Sequence, residues 1–107
     1  MRRFALLLGL SLPAACSTGP SAEEQIDRAR EVIRPSVTQV IAKEYPGTSV
    51  TPLTTCVLEN LTDEEVGALA QASLQGISGR DTQMIRGVVR RPETRTCAFD
   101  AGVTGFF

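Results

Sequence analysis

The sequence predicts an all-α fold: a small bundle of four to five helices, stapled by one disulfide and preceded by an N-terminal signal peptide. Three observations carry this. Two capping boxes, Ser21-Ala22-Glu23-Glu24 and Thr62-Asp63-Glu64-Glu65, stand before runs whose apolar residues repeat with helical spacing. The connections between such runs are short and marked by Pro and Gly. Two cysteines, Cys56 and Cys97, fall in different predicted helices of a 107-residue chain, a size that allows one modest core. The organisation expected is a signal peptide over 1–15, a flexible tether over 16–21 and a helical domain over 22–107.

The first helix starts at the Ser21 box, with apolar residues at 26, 29, 33, 37, 40 and 41 on one face. Pro35 interrupts this stripe but leaves its phase unchanged, so the expectation is a kink rather than a break. Tyr45-Pro46-Gly47 ends the helix by turn chemistry. Thr48 to Pro52 reads as an extended connection, and a short helix carrying Cys56, Val57 and Leu58 follows. The Thr62 box opens a third helix through Val66, Leu69, Ala70, Ala72 and Leu74, with Gly76 as its stop. Ser78-Gly79-Arg80-Asp81 opens a fourth with Met84, Ile85, Val88 and Val89 inward and Arg90 and Arg91 in its last turn, where the helix dipole favours cations. Pro92 suits the first turn of a final helix to about Ala101, carrying Cys97 and Phe99. The tail ends in Phe106-Phe107, which either folds back into a groove or inserts into a partner or lipid surface.

Arg2 and Arg3, the apolar run Phe4 to Leu12 and the small residues Ala14 and Ala15 follow the order of a secretory signal. The run is too short to span a bilayer of about 30 Å. Leu12-Pro13-Ala14-Ala15-Cys16 resembles the lipobox of bacterial lipoproteins, with Pro13 where that family usually has Leu. The resemblance implies cleavage before Cys16 and its acylation, and Ser17 after it favours the outer membrane. The alternative is ordinary cleavage after Ser17, which removes Cys16. Either outcome leaves Cys56 and Cys97 as an even pair, which an oxidising compartment turns into a disulfide.

Catalytic chemistry is hard to assemble. The chain has no His, so imidazole bases and the common His-containing metal sites are excluded, and no Gly-rich phosphate loop is present. The paired acids Glu23 and Glu24, and Asp63 to Glu65, sit in first helical turns, where capping accounts for them. No cofactor and no metal site is expected. Charge is divided unevenly: nine acids against four bases from 16 to 66, then three against five. Arg86, Arg90, Arg91 and Arg95 therefore form a candidate contact for an anionic envelope polymer, lipid head groups or an acidic protein. Nucleic acid is not expected, because the chain is net acidic with little aromatic interleaving.

The lipobox-like start, Thr54-Thr55-Cys56 and Arg91-Pro92-Glu93-Thr94-Arg95-Thr96-Cys97 together resemble a family of small exported alphaproteobacterial proteins, over most of the chain beyond the signal. Some members carry the name succinate dehydrogenase. The residues supply none of what that name requires: no dinucleotide fingerprint, no Cys cluster for iron–sulfur, no His for haem or covalent flavin. The function expected is non-enzymatic, a lipid-anchored helical module on the periplasmic side of the envelope that serves as an interaction or accessory protein. The alternatives are a soluble secreted helical module binding an apolar ligand, and an accessory subunit of a membrane respiratory complex.

Overall fold

The computed structural model describes residue 19 and residues 21–105. The segment expected to be a signal peptide, Cys16 and Phe106-Phe107 lie outside the described residues, and of the expected tether only Gly19 and Ser21 are described. Five helices follow in order: α1 (Ala22–Glu44), α2 (Val50–Glu59), α3 (Asp63–Gln75), α4 (Gly79–Val89) and α5 (Pro92–Asp100). The all-α expectation holds, and Cys56 and Cys97 are joined by a disulfide with Cα atoms 5.7 Å apart.

Local chemistry starts three of the helices. At Ser21, Thr62 and Ser78 the hydroxyl accepts from the backbone N–H three residues on, while the carboxylates of Glu24, Glu65 and Asp81 accept from the N-cap N–H. Each box satisfies two donors that a helix start leaves orphaned. α1 runs through Pro35 as one helix. Pro35 and Glu31, whose carbonyl loses its partner there, are both exposed, so water can take that bond.

α2 corrects the expected extended connection over 48–52. Its first residue is Val50, and Pro52 lies in the first turn, where a missing N–H removes no helical bond. A second correction concerns Arg90 and Arg91. α4 closes at Val89, Arg90 is its C-cap, and Arg91 is the N-cap of α5. Phe99 is carried by α5 as expected but is 72% exposed.

α1 is the spine: α2 and α3 pack along it, α4 touches α1 and α2, and α5 lies mainly on α2. Ile33, Val37 and Ile41 meet Leu53, Val57 and Leu58 of α2, Val66 and Leu69 of α3, and Ile85, Val88 and Val89 of α4 in one core. Each such side chain stabilises by roughly 1.5–3 kcal/mol over its exposed state.

The C-terminal arm is held differently. α5 buries only Ala98 and Thr94, and the side chain of its N-cap Arg91 makes no capping hydrogen bond to the helix. It ends in a Schellman turn: Val103 N–H donates to the Ala98 carbonyl (2.9 Å) and Gly102 N–H to that of Phe99 (3.1 Å), with Gly102 at φ 74°. The turn drives Val103 into the core and lays Thr104 and Gly105 across the α1–α2 corner. There Thr48 Oγ1 donates to the Gly105 carbonyl (3.3 Å), and a Cβ on Gly105 would lie 2.6 Å from the Gly47 carbonyl oxygen. The Cys56–Cys97 bond adds a covalent tie between this arm and α2.

Candidate functional site

The four arginines singled out from sequence divide into two pairs. Arg91 reaches back to the α2–α3 connection, where Nη1 donates to the Asn60 carbonyl (2.7 Å) and to Glu65 Oε1 (2.9 Å), and Nη2 to Glu65 Oε2. The hydrogen bond from Arg91 holds the Glu65 carboxyl below its ordinary range, against a smaller upward push from burial. Arg86, on α4, donates to Glu44 Oε1 at 2.6 Å and lies 5.9 Å from the centroid of the Tyr45 ring. Arg90 and Arg95 are exposed. The structure therefore does not gather the four on one surface as free cations; Arg86 and Arg91 tie α4 and α5 to acids of the first half of the chain.

Arg30 is a fifth arginine that sequence reading missed. Its Nε donates to the Leu58 carbonyl (2.9 Å) and its Nη2 to that of Leu61 (3.2 Å). Asn60 Nδ2 donates to the Cys56 carbonyl (2.8 Å) and Asn60 N–H to that of Val57. The Cys56, Val57 and Leu58 carbonyls near the end of α2 thus accept from the side chain and backbone of its C-cap Asn60 and from Arg30 of α1, while Arg91 takes the carbonyl of Asn60 itself. Helix C-termini leave such acceptors unpaired, and cations there also oppose the dipole's negative end.

Arg30 also pairs with Asp27 (3.3 Å) and Asp63 (3.7 Å). These side chains, with Ala22, Glu23 and Ile26, line a cleft of about 260 Å³ between the starts of α1 and α3. A second cleft of about 200 Å³ opens between α1 and α4 beside Gln39, Lys43 and Thr82. Glu24 and Glu65, two of the paired acids, are engaged in caps. Among the described residues no group of three or more His, Cys, Asp or Glu could hold a metal ion.

The disulfide is the one chemically reactive group at the α2–α5 contact. Cys56 is 1% exposed, whereas Cys97 is only half-buried, and its sulfur lies 3.8 Å from Glu59 Oε1. The hydroxyls of Thr54 on α2 and Thr94 on α5 are buried without a hydrogen-bond partner. No family model, curated protein or solved structure matches the chain.

Proposed function

We propose that the protein is a non-enzymatic interaction module of the bacterial envelope, held to the membrane by lipid on Cys16 and projecting its helical domain on the periplasmic side. The observation that carries this reading is the order Arg2-Arg3, apolar run, small residues and Cys16, set five residues ahead of the Ser21 cap where the folded domain begins. A disulfide in so small a domain supports an oxidising compartment. Among the described residues no helix is long and apolar enough to cross a membrane. The engagement of Glu24 and Glu65 in caps, and of Arg86 and Arg91 in ion pairs, supports a scaffold role over catalysis. Arg90 offers an exposed cation to an anionic envelope polymer or an acidic protein.

The test is detergent phase partitioning of the full-length chain produced in a bacterium that processes lipoproteins, beside Cys16→Ser. The wild type should enter the detergent phase and the variant the aqueous phase. Recovery of both from water would remove the anchor and favour a soluble secreted module.

A further inference from the structure

We propose that the outer face shared by α1 and α3 is a homodimer interface, on which a second copy of this chain packs about a two-fold axis parallel to the helices. The α1 helix of each copy then lies over α3 of the other. The proposal does not depend on the lipid anchor and rests on the charge and apolar pattern of this face.

The two helices run side by side in the same direction. Arg30 Nη2 lies 3.7 Å from Asp63 Oδ1 near their starts, and Ser73 Oγ donates to Ser36 Oγ (3.0 Å) further along. Arg28 and Glu64 therefore stand at about the same level. On α1 an exposed stripe at helical spacing carries Arg28, Val32, Pro35 and Gln39. On α3 the corresponding stripe carries Glu64, Ala68, Gln71 and Leu74. Each stripe thus has a single charge, at its N-terminal end, and the two charges are opposite. Neither Arg28 nor Glu64 joins an ion pair among the described residues. Each stripe also holds a large apolar side chain in water: Val32 is 64% exposed and Leu74 84%.

A face built this way is complementary to itself. Rotation about an axis along the helices lays the α1 stripe of one copy on the α3 stripe of the other, so Arg28 meets Glu64 twice by symmetry. The same rotation brings Val32 over Ala68 and Leu74 over Gln39, which removes both apolar side chains from water. An axis across the helices would stack α1 on α1 and set Arg28 beside Ala42 and Lys43 of the other copy, leaving the charges unmatched. Charge therefore selects the parallel arrangement. The contact is small: about 21 Å of helix and two helices in width give roughly 400 Å² per copy, below the usual size of a stable interface. Association is weak and reversible, and added salt weakens it further.

Sedimentation equilibrium of the processed protein in density-matched detergent, from about 10 µM to about 1 mM, tests the interface. Dimers should form within that range, with a Kd on the order of 100 µM. Leu74→Ser should raise the Kd at least about tenfold. Arg28→Glu and Glu64→Arg should each raise it about fivefold, because either swap sets two like-charged pairs across the axis. Mixed in equal amounts, these two variants should form a heterodimer with the wild-type Kd, since every pair is then opposite in sign. The Arg28→Glu/Glu64→Arg double variant should likewise dimerise as the wild type does. All the substituted side chains are exposed, so urea midpoints of the variants should stay near that of the wild type. A chain that stays monomeric throughout would overturn the proposal and leave the face to a different protein. So would single charge variants that dimerise as tightly as the wild type, or a mixture no tighter than its components.

Discussion

Arg91 concentrates more of the tertiary structure than its place between two helices suggests. It accepts the N-cap geometry of α5, neutralises Glu65 and takes the Asn60 carbonyl. Its side chain is 34% exposed and that of Glu65 19%, so solvent screens the pair in part. Arg91→Ala should cost about 1–3 kcal/mol in urea unfolding, mostly because Glu65 and the carbonyl lose their partner. The pH dependence follows from Glu65, whose folded-state pKa lies below its unfolded value. Its stabilisation is fully present above the unfolded carboxylate pKa of about 4.3 and is lost as pH falls through the lower folded value. Wild-type unfolding midpoints should therefore fall from pH 5 towards pH 3 more steeply than those of Glu65→Gln. Equal slopes would mean the pair contributes nothing. Glu31, lowered by Arg34 on an exposed face, adds little to this slope.

Among the elements, α2 is the one that local sequence conceals. α1, α3 and α4 open on capping boxes, and α5 on a Pro at its first position, all signals confined to four residues. α2 has no such mark. The side chain of its N-cap Ser49 makes no capping hydrogen bond, and Val50, Thr51, Thr54, Thr55 and Val57 are β-branched residues that favour extended backbone. What holds it as a helix lies far away: Arg30, 28 residues before Leu58, caps its end, and the core takes Leu53, Val57 and Leu58. Such a bond leaves no trace in spacing, which is why both the start of α2 and the role of Arg30 escape sequence reading. Asn60→Ala should cost about 1 kcal/mol, and Arg30→Ala at least as much, measured by chemical unfolding. Faster amide exchange confined to α2 and the α2–α3 connection would identify the cap as the cause. Unchanged exchange there would argue against it.

Across the whole molecule, the two halves are complementary in charge and joined covalently. The uneven division of acids and bases along the sequence points outward to an anionic partner when read alone, yet in the fold Arg86 meets Glu44 and Arg91 meets Glu65 across the halves. Only a three-dimensional arrangement distinguishes an internal match from an external one, so half of the arginine cluster was legible as charge but not as role. The disulfide was legible from parity, because one of three cysteines falls at the end of the stretch read as a signal. It closes a separation of 41 residues and stabilises by roughly 4 kcal/mol in the chain-entropy view, a large share of a small domain's total.

The measurement that bears most directly on an exported, lipid-anchored and disulfide-closed module is the intact mass of the processed protein under non-reducing conditions. The account predicts a chain beginning at Cys16, heavier by its acyl groups and lighter by two hydrogens than the reduced form. A mass beginning at Thr18 without lipid, or one with both Cys56 and Cys97 as free thiols, would contradict it.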